Sequence, residues 1–208
     1  MTRPEPDTPQ PPSKDLRIRR VPGRAGYDRE TVEAIVDAAV AGIRQLLSSL
    51  LQLGAQKLLV VNAPDIGRIP ETLQKAQQDP AIIQRSTLLS QRFNALLAAE
   101  IETLRQLHGK ALLEFDLFSY FNALLESAEA YGFVNTEEGC FDPESYAFHP
   151  DCFSVDGIRF DRFVFFDSIH PTAKTHELIG KALHEALQEQ PAAAGDALMP
   201  ILWYLLRR

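Results

Sequence analysis

The sequence has no excess of basic residues, no long apolar run and no apolar leader. Acidic residues outnumber basic ones by 28 to 21, which gives a net charge of −7. Because such a chain repels a phosphate backbone, we expect no nucleic-acid partner. No eighteen consecutive residues are apolar, so we expect no transmembrane segment. Residues 1–14 are polar and proline-rich and lack the apolar core of a signal peptide, which leaves the localisation unknown.

Cysteine is also scarce. Cys140 and Cys152 are the only two cysteines, and no pair of histidines completes a zinc pattern with them. We therefore expect neither a bound metal nor a cofactor. The two cysteines are either free thiols or one local disulfide, and a disulfide would stabilise the loop by roughly 3 kcal/mol on loop-entropy arguments. The residues alone leave both alternatives open.

The composition is that of one globular domain with irregular ends. A chain of 208 residues, 45% of them hydrophobic, is long enough for one sizeable core and too short for two. Prolines and arginines concentrate in residues 1–26, which we interpret as a disordered leader. Residues 191–208 are an Ala/Gly-rich stretch followed by I-L-W-Y-L-L-R-R, which we interpret as a frayed tail. The domain is therefore assigned to residues 27–190.

Between these ends, helices alternate with short apolar strands. Apolar residues recur at helical spacing in several segments, and three of these segments end at Gly54, near Gly109 and at Gly132. Two almost wholly apolar runs, 57–62 and 111–115, are typical of strands covered on both faces. This alternation predicts an α/β layer fold in which the two strands pair in parallel through a crossover over residues 80–107. Residues 133–162 are predicted to form a long, irregular, aromatic loop.

A carboxylate and an imidazole are three residues apart in the stretch 165–172, F-F-D-S-I-H-P-T. On a tight loop between a strand and a helix, Asp167 can accept a hydrogen bond of about 2.6–3.2 Å from one ring nitrogen of His170. The other nitrogen is then free to take a proton, as a general base does. Such a pair also arises by chance or holds a loop together. A metal site of Asp167, His170 and His176 lacks an evident fourth ligand.

This stretch resembles the last conserved block of the SGNH, or GDSL, esterases and lipases, F-W-D-x-x-H-P-T. Residues 53–70, L-G-A-Q-K-L-L-V-V-N-A-P-D-I-G-R-I-P, resemble a second block of that family, and Phe93-Asn94 and Tyr131-Gly132-Phe133 follow in the family's order. The resemblance is closest to the bacterial phospholipase and haemolysin-like branch.

The resemblance implies a three-layer α/β/α, flavodoxin-like parallel sheet. It also implies hydrolysis of a small-molecule or lipid carboxylic ester, with Asp167 and His170 as two members of a Ser-His-Asp triad. Members of this family are often secreted and often carry cysteines in this region, which adds weight to the disulfide without excluding free thiols.

The family's serine block, G-D-S-x, and its oxyanion block, G-x-N-D, do not occur in this sequence, and the first strand is also absent. The serines that are present have no tight glycine-containing turn of the kind that exposes a nucleophile. We therefore expect a truncated chain, in which residues 27–190 are the C-terminal part of an SGNH-type domain without its N-terminal strands. An N-terminal partner chain could supply the missing blocks. The alternative is a catalytically inactive remnant that acts as a binding or interaction module.

Overall fold

The structure, a computed structural model, describes residues 29–109 and 112–188. The predicted leader and the predicted tail lie outside the described residues. In chain order, the helices are α1 (Arg29–Gln52), α2 (Pro70–Ala76), α3 (Ala81–His108), α4 (Leu117–Glu126) and α5 (Ala173–Gln188). The strands are β1 (Leu58–Val61), β2 (Leu112–Phe115), β3 (Asn135–Gly139), β4 (Phe141–Asp142), β5 (Ala147–Phe148), β6 (Phe153–Ser154), β7 (Gly157–Ile158) and β8 (Phe163–Phe165).

Strands β1 and β2 pair in parallel, as the sequence predicts. Their register runs from Leu58 opposite Leu112 to Val61 opposite Phe115, and α3 lies in the crossover between them. The apolar sides of α1 and α3 share a core with this strand pair. The buried side chains of that core are Leu47, Val60, Leu97, Ile101, Leu104 and Leu112.

Strands β3 and β8 form a second parallel pair, which the sequence analysis missed. Asn135 lies opposite Phe163 and Gly139 opposite Phe165, with an irregularity in the register between them. The strand β8 is buried throughout, but β3 reads N-T-E-E-G and has no apolar pattern that would mark it as a strand. Residues 133–162, predicted to be irregular, therefore contain β3 and two small antiparallel hairpins, β4–β5 and β6–β7.

The two parallel pairs belong to separate two-stranded sheets in the part of the chain that the structure describes. That part is a mixed α/β structure with parallel strand pairs, and the continuous three-layer sheet stays a prediction. Helix α2, which begins with Pro70 and has seven residues, was not predicted from the sequence. A helix of about two turns is too short to produce a detectable 3.6-residue period.

The two cysteines form a disulfide, so the structure decides between the two alternatives that the sequence left open. Cys140 and Cys152 are completely buried, and their Cα atoms are 5.7 Å apart. They share a small core with Phe163, against which Phe148 and Phe160 pack. The disulfide thus connects the end of β3 to the start of the β6–β7 hairpin.

Among the described residues, one helix, α1, passes a test of length and composition for a membrane span. Residues Glu30–Gln52 are long enough and, with a mean hydropathy of 1.5, apolar enough to cross a membrane. The helix contains no unbroken apolar run, because charged residues such as Asp37 and Arg44 interrupt it. Both charges pair with α3, Asp37 with Arg92 at 3.0 Å and Arg44 with Glu100 at 3.2 Å. Core helices and N-terminal signal sequences pass the same test, so no membrane role follows from it.

Glu114 on β2 is mostly buried, with 23% of its side chain exposed, and it lies 4.0 Å from Arg105. Burial raises the pKa of this carboxyl group, and Arg105 offsets only part of that effect. An acid whose pKa is higher in the folded state destabilises the fold above that pKa, because deprotonation then favours the unfolded chain. We therefore expect Glu114→Gln to raise the urea midpoint at neutral pH without changing the m-value.

The matched control is Glu102→Gln, which removes a 60% exposed carboxylate 3.9 Å from the same arginine. This control should change the free energy of unfolding by no more than about 0.5 kcal/mol. The gain from Glu114→Gln should vanish below the pKa of glutamate in the unfolded chain, about 4.3, where Glu114 is protonated in both states. A lower midpoint for Glu114→Gln at neutral pH would contradict this account.

Candidate active site

The D-x-x-H stretch lies in the loop between β8 and α5, where the chain turns back along β8. Thr172 N donates to the carbonyl of Val164 at 2.9 Å, and Thr172 Oγ1 donates to the carbonyl of Phe163 at 2.8 Å. Thr175 Oγ1 donates to the carbonyl of Val164 at 2.8 Å. Both threonines are buried. They fix the end of the loop on the same strand from which the loop begins.

Within this loop the carboxylate of Asp167 is hydrogen-bonded to the imidazole of His170. The ring atom Nδ1 lies 2.8 Å from Oδ2 and 3.0 Å from Oδ1 of Asp167, within the expected range. Because a carboxylate only accepts, the neutral ring carries its proton on Nδ1, and Nε2 is left without one. The Asp167 side chain is 15% exposed and that of His170 is 70% exposed. The free nitrogen therefore belongs to a ring that is open to solvent.

The backbone of the loop also donates to this carboxylate. Oδ1 of Asp167 accepts hydrogen bonds from the N–H groups of Ile169 at 2.8 Å and His170 at 2.7 Å. Burial is the largest single influence on the pKa of Asp167 and raises it, but the hydrogen bonds from His170 and Ile169 together lower the pKa below its usual value. Asp167 is therefore ionised at neutral pH and can stabilise a protonated imidazole.

Gly139, at the end of β3, lets this strand approach the backbone of Asp167 closely. A Cβ atom at Gly139 would lie 2.6–2.7 Å from the Cα, C and O atoms of Asp167. No real Cβ makes such a contact with backbone atoms, so the position requires glycine or a shifted loop. Gly139 was not predicted as a site residue, because its importance depends on a contact with Asp167, which is distant in the chain.

A separate polar network joins the ends of β1 and β2. Asn62 Nδ2 donates to Asp116 at 2.8 Å, and Asn62 Oδ1 accepts from the N–H group of Phe118 at 3.0 Å. Asp116 also accepts from the N–H group of Ser119 at 3.1 Å and thereby caps α4. These side chains stabilise the junction of both strands with α4.

A cavity of about 380 Å³ lies next to the D-x-x-H loop, and Ser168 and Gly139 are in its wall. Glu138 and His149 also line it. His149 Nε2 lies 3.0 Å from a carboxylate oxygen of Glu138, while its Nδ1 accepts a hydrogen bond from Asp151 N at 3.2 Å. This second His–carboxylate pair was not predicted from the sequence, because its two members form no short motif. Each nitrogen of this imidazole has a polar neighbour within 3.2 Å.

Nothing in the described residues brings a metal-binding group or a serine to His170. Across residues 29–109 and 112–188, no three His, Cys, Asp or Glu side chains are grouped so that they could hold a metal ion. No serine hydroxyl in these ranges is hydrogen-bonded to His170. Ser168 lies between the two members of the pair, and its carbonyl accepts a hydrogen bond from Glu71 N at 2.9 Å, which connects the loop to α2.

Comparison with known proteins identifies the class to which this chain belongs. The profile of the GDSL-like lipase/acylhydrolase family matches residues 16–183, which is most of the chain. The chain therefore belongs to the GDSL-like lipase/acylhydrolase family.

Its relatives include plant and bacterial proteins. A GDSL esterase/lipase of Arabidopsis thaliana is 26% identical over 160 residues, which cover 75% of this chain and 44% of the relative. Another from the same plant is 28% identical, covering 73% of this chain and 42% of the relative. The thermolabile hemolysin of Vibrio parahaemolyticus is 26% identical over 169 residues, covering 77% of this chain and 38% of the hemolysin. The chain thus spans about two fifths of the length of these relatives.

The lowered pKa of Asp167 predicts how the stability of the fold depends on pH. An acid with a lowered folded-state pKa stabilises the fold above its unfolded pKa, and that contribution is lost as the pH falls through the folded pKa. We expect Asp167→Asn to lower the free energy of unfolding at neutral pH by about 1–2 kcal/mol, since an amide oxygen accepts these hydrogen bonds less strongly than a carboxylate. The difference from the wild type should disappear in acid.

The measurement is urea unfolding at a series of pH values, with Asp151→Asn as the control. Asp151 is also near a histidine, 3.8 Å from His149 Nδ1, but 69% of its side chain is exposed. Its substitution should change the stability by no more than about 0.5 kcal/mol. An Asp167→Asn effect that does not depend on pH would show that the charge of Asp167 contributes nothing.

The close approach at Gly139 gives another prediction. We expect Gly139→Ala to lower the free energy of unfolding by about 1–3 kcal/mol, because the added methyl group must displace the backbone of Asp167. The control is Gly180→Ala on α5, where an added Cβ meets nothing within 4 Å. That change should raise stability by about 0.5–1 kcal/mol through helix propensity. Equal effects from the two variants would show that β3 and the loop separate at little cost.

Proposed function

We propose that Asp167 and His170 are the acid–base half of a Ser-His-Asp ester hydrolase. The observation that carries the proposal is the 2.8 Å hydrogen bond between Asp167 Oδ2 and His170 Nδ1, inside the region that matches the family. The lowered pKa of Asp167 supports the role of a permanent carboxylate. The names of the Arabidopsis relatives, esterase and lipase, support a carboxylic ester as the substrate class.

The proposed reaction uses the two ring nitrogens of His170 differently. Asp167 holds the Nδ1 proton, so Nε2 takes the proton of a serine hydroxyl as the serine oxygen attacks the acyl carbon. The carboxylate stabilises the imidazolium that forms. His170 then gives that proton to the leaving alcohol oxygen, and a water molecule releases the acid from the acyl-serine by the same two steps. One ester and one water give one alcohol and one carboxylic acid.

The serine and the oxyanion donors of this proposal come from the G-D-S-x and G-x-N-D blocks, which the 208 residues do not contain. The exposure of the His170 ring, 70%, supports an arrangement in which another segment brings the serine to it. We therefore propose the activity for this chain together with a segment that carries both blocks. The 208 residues alone would not hydrolyse esters.

The first arm of the test uses the purified 208-residue chain. We expect no hydrolysis of a short-chain aryl ester above the level of the His170→Ala variant, and no labelling of any serine by a fluorophosphonate probe. The reason is that the Asp–His pair only transfers protons, and without a nucleophile no group can accept the acyl group of the ester. Labelling of one serine that is lost in His170→Ala would show that the chain has its own nucleophile.

The second arm joins the chain to an N-terminal segment that carries the two missing blocks. Ester hydrolysis should appear, and His170→Ala should lower turnover on the order of 10⁶-fold, Asp167→Ala on the order of 10⁴-fold. His184→Ala, an exposed histidine on α5, is the matched control and should leave turnover unchanged. Activity that survives His170→Ala would refute the proposed role of the pair.

A further inference from the structure

The Cys140–Cys152 disulfide is built into the strand pairing that leads to the D-x-x-H loop. Cys140 N donates to the carbonyl of Phe165 at 3.1 Å, and the carbonyl of Cys140 accepts from His149 N at 2.8 Å. Cys152 N donates to the carbonyl of His149 at 2.9 Å, and the carbonyl of Cys152 accepts from Arg159 N at 2.7 Å. The disulfide therefore joins the β3–β8 pair to both hairpins.

The residues on either side of Cys140 contact the backbone at Asp167. Gly139 precedes the cysteine and packs so closely on Asp167 that no side chain fits between them. Phe141 follows the cysteine, and its N–H group donates to the carbonyl of Phe166 at 2.8 Å. A shift of the backbone at Cys140 would therefore move the residue that holds His170.

Aromatic side chains also connect the disulfide core to Phe166, the residue before Asp167. The ring of Phe166 contacts the ring of Phe141 at a centroid distance of 5.6 Å and that of Phe160 at 5.4 Å. Phe148 contacts both of these, at 5.1 Å from Phe141 and 6.0 Å from Phe160. Phe148 and Phe160 also pack against the disulfide core. Phe166 is therefore held by rings that the disulfide keeps in place, and it immediately precedes Asp167.

We infer that the Cys140–Cys152 disulfide is a positioning element for the Asp167–His170 pair. The disulfide closes a loop with a sequence separation of 12, and without it that segment gains conformational freedom. The backbone that places the Asp167 carboxylate would then no longer be constrained, and His170 would lose its Nδ1 hydrogen bond. The relevance of this inference to catalysis rests on the proposed function. The effect of the disulfide on the His170 imidazole does not.

The test reads the protonation of the His170 ring directly by nitrogen-15 NMR of the full chain, at a pH that keeps the ring neutral. In the oxidised wild type we expect the proton on Nδ1. In Cys140→Ala/Cys152→Ala we expect the proton mainly on Nε2, as in unconstrained histidine. The amides of Ile169 and His170, which donate to Asp167, should also exchange with solvent at least about tenfold faster.

Amide exchange in β1 and β2 shows whether the rest of the double variant remains folded. If those amides stay protected and the His170 proton stays on Nδ1, the inference is wrong. If the double variant unfolds, the deciding variant is Phe141→Leu, which keeps the disulfide and removes one of the two rings that contact Phe166. Phe141→Leu should shift the His170 proton towards Nε2, and an unchanged His170 signal would overturn the inference.

The matched control for that arm is Phe153→Leu. The ring of Phe153 lies in the same region and contacts Phe148 at 6.1 Å, but not Phe166. Phe153→Leu should leave the His170 signal unchanged. An equal shift in Phe153→Leu and Phe141→Leu would refute a specific role for the Phe141 ring. Because the readout is protonation and not turnover, a failure of the proposed hydrolysis would leave this result intact.

Discussion

The carboxylate of Asp167 is the group on which the local structure depends. Three N–H groups converge on it, from the backbone of Ile169, the backbone of His170 and the ring of His170. Placing a charge at a partly buried position costs free energy, and these hydrogen bonds more than offset that cost, because the pKa of Asp167 is lowered. The same two oxygens thus determine the shape of the loop and the orientation of the imidazole.

The hydrophobic core and the polar Asp–His pair lie in different parts of the chain. The core between α1, α3 and the β1–β2 pair is made of aliphatic side chains and contains no residue of the Asp–His pair. The pair lies at the end of β8, which is packed against α4 in a second core and beside the disulfide-linked hairpins. The family match extends over both parts, from residue 16 to residue 183. The chain therefore combines a conventional hydrophobic support with a short polar loop whose geometry is set by hydrogen bonds.

The sequence predicted those features that depend on neighbouring residues or on long apolar patterns. The parallel pairing of β1 with β2 followed from two apolar runs and the helix between them, and the Asp167–His170 contact followed from a spacing of three on a tight turn. The strand β3 and the two hairpins could be identified only from the structure, because no periodic pattern of apolar residues in the sequence indicates their pairing. Gly139 could not be recognised either, since only the folded chain places it against Asp167. Helix α1 was predicted from its apolar spacing, but its high mean hydropathy was not, because charged residues interrupt the run.

The return of the chain along β8 has a consequence for self-association. One edge of β8 pairs with β3, and the carbonyls of Phe163 and Val164 are taken by Thr172 and Thr175. Phe166 N, just beyond the strand, donates to the carbonyl of His170 at 2.7 Å. Backbone groups that are already paired cannot template a strand from another molecule, so the loop with the imidazole also protects this sheet edge from aggregation. A substitution that opens the loop would therefore be expected to reduce solubility, so precipitation has to be measured separately in any assay of the proposed activity.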